Sequence, residues 1–286
     1  MASYSDLPVH LLEEILLRID DAADLVRTSA ACVSFRRIVT DGRFRRRFRL
    51  LHRPSVLGFL GCCTGRPLNF YPVAPPNRSA PAARALAQAA DFSFSLLPDY
   101  STGNNWWLSD IRDGRFLLSR LGWSRHVFEP FVVYDPLHRQ KVKIPPIPND
   151  LLVVESPPGH GGVRRQAQDL EPFLLPAAAA SNGEDHRGDP SFQLMCIVLF
   201  KDSEHAALVY SSATGKWRVM ATLRNASCDH VTWWFYARRH YAHGCFYWVF
   251  YNETAMIKLD THQMKFSIVD LPTCWQRQQG WVVDSW

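Results

Sequence analysis

Apolar residues at positions 11, 12, 15, 16 and 19 recur as i, i+1, i+4, i+5 and i+8, the signature of one helical face. Leu7 and Pro8 lead into that face, and Leu17 lies off it. The spacing predicts a helix over Leu7–Ile19, capped by Ser5 or Asp6, with Pro8 placed where a missing amide leaves nothing unpaired. Glu13 and Glu14 toward its start and Arg18 at its end suit the helix dipole. Asp20-Asp21 breaks the pattern. A second short helix is predicted near Ala22–Ala31, with Leu25 and Val26 apolar, and a third carries Val33, Phe35, Ile38 and Val39. Three short helices in about 40 residues make a marginal core. The apolar face therefore needs cover, from a partner or from the chain's own next domain, and periodicity leaves both open.

From Leu57 onward the period changes to short apolar runs separated by turn residues. Leu57–Gly61 reads as a strand. The segment Ala74–Ala90, rich in Ala and Pro, reads as an exposed loop with one helical turn. Trp106-Trp107-Leu108 leads to Asp113-Gly114, a hairpin signal, and on to Arg115–Leu118. Phe131–Tyr134 is a further strand. Residues 155–190 contain Pro-Pro, Gly-His-Gly-Gly, four alanines and Asn182-Gly183, and are expected to form a disordered insertion. Strands resume at Phe192–Val198.

Three segments resemble one another. Val132–Asp135 is followed after six residues by Val142–Pro145; Leu208–Ser211 after five by Trp217–Val219; Ile257–Asp260 after five by Phe266–Ile268. Each is a strand, a polar turn and a strand. Repeated antiparallel units of this size predict propeller blades, with a stacked β-sandwich as the alternative. At about 40–50 residues per blade the chain has room for roughly five, fewer once the insertion is subtracted. The expected fold is thus α+β and multidomain: a small three-helix N-terminal domain, then a mainly antiparallel, propeller-like β domain that is small, open or incomplete.

Composition supports a folded chain, since 47% hydrophobic and 13% aromatic content can fill a core. The seven cysteines are odd in number, irregularly spaced and without a CxxC, as expected of reduced thiols in an intracellular protein of the cytoplasm or nucleus. Neither a secretion signal nor a membrane span is expected. Charge is uneven. Eight arginines and one acid between Arg36 and Arg53 carry +7, so a chain of net +5 leaves −2 for the remainder. Phe44, Phe48, Leu50 and Leu51 interleave with these arginines. That pattern reads as a structural helix with one buried and one solvated face, and not as a nucleic-acid contact.

No GxSxG, HExxH or GxxxxGK occurs. Gly159-His160-Gly161-Gly162 lacks the nucleophile elbow an oxyanion loop would serve, and Cys228-Asp229-His230 stands alone as a metal-ligand cluster. No catalytic residue, metal or cofactor is expected. The aromatic stretch Trp233–Tyr236 with Arg238 and Arg239 must send alternate side chains to opposite faces. Trp106, Trp107, Trp233, Trp234, Arg238 and Arg239 are therefore candidates for a target-binding surface, with core packing as the alternative.

The N-terminal pattern resembles an F-box: Leu7-Pro8, then Ile15-Leu16-x-Arg18-Ile19, Asp24-Leu25-Val26-Arg27 and Cys32-Val33-Ser34-Phe35-Arg36, in order and correctly spaced. Ile19 stands where the family has Leu, and Phe35 where it has Trp, which loses the indole donor. Tyr134-Asp135-Pro136, Ser211-Ser212-x-x-Gly215-x-Trp217 and His243–Trp248 resemble, more loosely, the kelch- or propeller-like F-box-associated domains of plant-type F-box proteins. The resemblance implies an F-box over 5–48, a basic linker over 49–56 and a β domain over 57–286. It implies adaptor binding through Leu7, Pro8, Ile15, Leu16, Ile19, Leu25, Val33 and Phe35. The partners would be a Skp-type adaptor, through it a cullin–RING ligase, and an unknown target protein held by the β domain. The role would be that of a non-catalytic substrate receptor in protein ubiquitination. A non-ligase interaction module with a non-productive F-box is the alternative.

Overall fold

Four short helices open the chain: α1 (Val9–Leu16), α2 (Ala22–Ser29), α3 (Val33–Thr40) and α4 (Gly42–Leu51). The computed structural model describes residues 7–52, 55–61, 69–97, 106–120, 131–155, 164–176, 191–200, 204–223, 239–249 and 255–271. Helices of this length are marginal alone and depend on packing. Leu12, Leu16, Leu17, Leu25, Ile38, Phe44 and Phe48 supply one core, with Ile19, Phe35 and Val39 packed against it. The Cys32 thiol accepts the Phe35 amide at the start of α3. The Asp41 carboxylate accepts the Arg43 and Phe44 amides at the start of α4. The expected caps of α1, Ser5 and Asp6, lie outside the described residues.

Two local expectations change here. Residues 49–51 of the expected linker belong to α4, because Phe44 and Phe48 at i, i+4 bury into the same core as α1 and nothing interrupts the helix. The Ala/Pro-rich stretch holds a ten-residue helix, α5 (Ala80–Ala89). Alanine is the best helix former, and Pro81 sits in the first turn where it is tolerated.

The chain divides into two compact units. The first contains α1–α5 and a two-stranded sheet of β1 (Gly58–Gly61) and β2 (Asn69–Pro72). A Cβ on Gly58 would lie 2.5 Å from the Phe70 ring and the Tyr71 carbonyl oxygen, so that close approach requires glycine. Position 57 falls within this unit, which extends to Ala89, and apart from Asn69 the second unit's described residues begin at Ala90.

The second unit is built from three antiparallel meanders. The first comprises β3 (Trp106–Arg112), β4 (Arg115–Arg120), β5 (Val132–Asp135) and β6 (Gln140–Lys143). The second comprises β7 (Val153–Glu155), β8 (Arg164–Leu174), β9 (Gln193–Phe200), β10 (His205–Ser211) and β11 (Lys216–Leu223). The third comprises β12 (Arg239–Ala242), β13 (Cys245–Val249), β14 (Ala255–Asp260) and β15 (Lys265–Asp270). Helices followed by a mostly β, antiparallel region agree with the predicted fold class.

The three repeated segments are the hairpins β5–β6, β10–β11 and β14–β15, the last two strands of each meander. Their turns share one geometry. Four residues separate the strands, and the fourth has positive φ: Arg139 at 52°, Gly215 at 66° and Met264 at 49°. The residue before the turn anchors it. Asp135 accepts the His138 amide, and Asp260 accepts those of His262 and Gln263, which hold the Asp260 carboxyl below its ordinary value. Asp113-Gly114 and His243-Gly244 both have positive φ at two consecutive residues, the type I′ hairpin geometry.

Part of the segment 155–190 is corrected. Arg164–Leu174 within it is β8, which pairs with β7 on one side and β9 on the other. Phe173 and Leu174 are buried in the core. The Pro and Gly clusters flank this strand and masked its apolar run from local reading. Those clusters, with Gly159–Gly162, lie outside the described residues.

Candidate functional site: an apolar helical surface and a buried ion cluster

The helical unit sorts the predicted interface residues into two groups. Leu16 and Leu25 are buried, and Ile19 and Phe35 are half-buried against the core. Leu7, Pro8, Ile15 and Val33 face solvent; Ile15 is 54% exposed and Val33 81%. Along α1 the buried residues are Leu12, Leu16 and Leu17, not the predicted set of 11, 12, 15, 16 and 19. At about 100° per residue, the buried side is rotated by roughly one residue from the sequence expectation. The cause lies on α4. Arg47 reaches across to α1 and donates to Glu13 at 2.8 Å and Glu14 at 2.6 Å, and the His52 imidazole meets the Leu17 carbonyl at 2.7 Å. These contacts turn Glu13 and Leu17 toward α4 and leave Leu11 and Ile15 outward. The two glutamates hold Arg47 even more firmly protonated than usual.

Val26 on α2 is exposed as well. Leu11, Ile15, Val26 and Val33 thus stand outside a core that is complete without them. Sequence periodicity did not separate these residues from Leu12 and Leu16, since it sees hydrophobicity and not which side a neighbouring helix covers.

In the β unit the predicted target-binding residues scatter. Trp107 is 55% exposed on β3, and Trp106 is half-buried. Trp233, Trp234 and Arg238 lie outside the described residues. Arg239 sits in a largely buried ion cluster. Its guanidinium meets Glu171 at 2.7 Å and Asp110 at 3.1 Å and stacks 4.1 Å from the Phe173 ring centroid. The Trp248 indole N–H donates to Glu171 at 2.8 Å, and Asp110 also accepts the Leu174 amide. Burial raises the Glu171 carboxyl above its ordinary value, and the Arg239 charge opposes that rise without cancelling it. The cluster joins β3, β8, β12 and β13, one or more strands from each meander.

Sequence reading missed Asp110 and Glu171. Glu171 did carry a signal, as a single acid inside the apolar run Leu170–Leu175. A second polar knot forms around Asp91, which accepts from Ser93, Ser95 and the Tyr134 hydroxyl. Among the described residues no group of His, Cys, Asp or Glu could hold a metal ion. Cys196 and Cys245 are free and buried and Cys32 is free and exposed, while burial pushes the Cys196 thiol well up.

No protein-family model and no curated protein matches this chain. Among the described residues, no helix is long and apolar enough to cross a membrane.

Proposed function

We propose that the chain is a non-catalytic substrate receptor of a Skp–cullin–F-box ubiquitin ligase. The helical unit binds the adaptor, and the β unit holds a target protein. One observation carries the reading: Leu11, Ile15, Val26 and Val33 are exposed on a helical unit whose core is filled by other side chains. Exposed apolar side chains on a small helical scaffold are what an obligate interface requires, and burying each Leu, Ile or Val is worth about 1.5–3 kcal/mol. The F-box-like order of residues supports the same assignment. Leu7, Pro8, Ile15 and Val33 make direct contact in this reading, while Leu16, Ile19, Leu25 and Phe35 hold the helices that present them. The mechanism is proximity, since two binding modules on one chain raise the local concentration of target at the ligase.

We further read the three meanders as blades of a small, open propeller. Their matching last hairpins and the ion cluster that joins them support that arrangement.

The test is a pull-down of a purified Skp-type adaptor by wild type, Ile15→Asp and Val33→Asp, with circular dichroism on each. The expected result is adaptor binding by wild type and its loss in both folded variants. Absence of binding by folded wild type at micromolar concentrations defeats the receptor reading. Leu16→Asp is unsuitable for this purpose, because it places a carboxylate in the core.

A further inference from the structure

The outward face of α4 is unlike an ordinary solvated helix. Phe44 and Phe48 are buried, so at 3.6 residues per turn Arg43, Arg46 and Leu50, spaced i, i+3 and i+7, lie on the opposite side. Arg43, Arg45 and Arg46 form no ion pair among the described residues, whereas their neighbour Arg47 is held by Glu13 and Glu14. Leu50 is 80% exposed and Leu51 64%. A face designed only for solubility needs no exposed leucines. A face that grips a phosphate backbone gains nothing from them either, because phosphates and sugars offer no apolar surface to cover Leu50. Arginine is enriched at protein interfaces, an exposed leucine beside it gains by being covered, and the unopposed charge fixes the sign of what the face meets.

We propose that the outward face of α4 docks an acidic protein segment that carries an apolar side chain. Carboxylates on the segment pair with Arg43 and Arg46, each planar guanidinium fork donating to them bidentately, and its apolar side chain covers Leu50. This surface is separate from the one assigned to the adaptor. On α1, the side that meets α4 carries Glu13 and Glu14, held by Arg47, whereas Leu11 and Ile15 point away from it.

The test uses the full chain and three fluorescent probes in anisotropy titrations: a helical peptide alternating Glu and Leu, poly-glutamate of equal charge, and a DNA duplex. The expected order is Glu/Leu peptide first, at least tenfold tighter than poly-glutamate or duplex at 150 mM salt. Arg43→Glu with Arg46→Glu should weaken the peptide at least tenfold, and Leu50→Ser at least threefold, with the melting temperature unchanged. Tighter binding of the duplex, with a steep salt dependence and indifference to Leu50→Ser, overturns the proposal in favour of a nucleic-acid surface. Equal binding of poly-glutamate and peptide overturns the role of Leu50. No binding of any probe at 100 μM overturns the proposal outright. A fall in melting temperature on Leu50→Ser overturns it too, since the leucine would then be covered by its own chain. Ile15→Asp should leave peptide binding intact, which keeps this result distinguishable from a failure of the adaptor reading.

Discussion

Asp91 takes hydrogen bonds from both the amide and the hydroxyl of Ser93 and of Ser95, and from the Tyr134 hydroxyl on β5. Burial raises its carboxyl, but the donors outweigh burial and hold it well below the ordinary 3.8. The same pairing and burial push the Tyr134 hydroxyl up. A depressed carboxyl means that the folded chain binds fewer protons than the unfolded one. Its stabilisation is complete above the ordinary 3.8 and is lost as pH falls through the folded-state value. Asp91→Asn should therefore lose stability at neutral pH, by at least about 2 kcal/mol, because hydrogen bonds to a charged acceptor are the strong ones. In urea titrations the gap to wild type should narrow as pH drops below about 4; a gap independent of pH would show that the charge is not the stabilising feature. At the ion cluster the sign is opposite. Glu171 is raised, so its contribution is complete below the ordinary 4.5 and declines as pH rises through the folded-state value. Arg239→Met leaves two buried carboxylates without their cation, and breaking such a pair costs about 3–5 kcal/mol. Urea unfolding of the β unit should show that loss, reduced at pH 5 relative to pH 8, because the raised Glu171 carboxyl sheds its charge cost as it takes up a proton.

At the level of elements, the three last hairpins pose a matched experiment. Arg139, Gly215 and Met264 occupy one turn position with positive φ, and only Gly215 is free of the Cβ penalty there. The left-handed region costs a non-glycine residue about 1 kcal/mol. Met264→Gly and Arg139→Gly should each be neutral or stabilising by up to about 1 kcal/mol, after the entropy glycine adds to the unfolded chain. Gly215→Ala should destabilise by about 1 kcal/mol, although a Cβ there meets nothing within 4 Å. Thermal melts of the three variants decide it, and equal effects of either sign at all three positions would dissolve the equivalence of the turns. These hairpins were readable locally because strand, turn and strand are contiguous. The helix α5 and the strand β8 were not. Ala-rich sequence with proline is ambiguous between loop and helix, and an apolar run among Pro and Gly clusters shows its strand only once β7 and β9 are paired to it.

The whole molecule holds a small helical unit and a larger β unit, each with its own core. A core of seven buried side chains is small, so the helical unit should gain markedly from anything that binds only its folded form. Adaptor at a hundred times its dissociation constant should add about 2.7 kcal/mol to that unit. Hydrogen exchange should then slow in α1–α3 and stay unchanged in β9 and β10. Uniform slowing would point to binding elsewhere, and no slowing would contradict the receptor reading.

Sequence alone determined what depends on neighbours along the chain: the three short amphipathic helices and the arginine-rich helix that follows them, the Asp113-Gly114 hairpin and the three repeated strand–turn–strand units. Hydrophobic period and turn chemistry are local properties, and they survive whatever surrounds them. Tertiary structure decided which apolar side chains are core and which are surface. Leu16 and Ile15 are adjacent and nearly alike in hydrophobicity, yet packing into the core shared by the four helices buries one and leaves the other exposed. It also decided that Asp110, Glu171 and Arg239, far apart along the chain, share one buried charge cluster. An ion pair of that kind exists only when three sheets bring their strands together, and no spacing in the sequence records it.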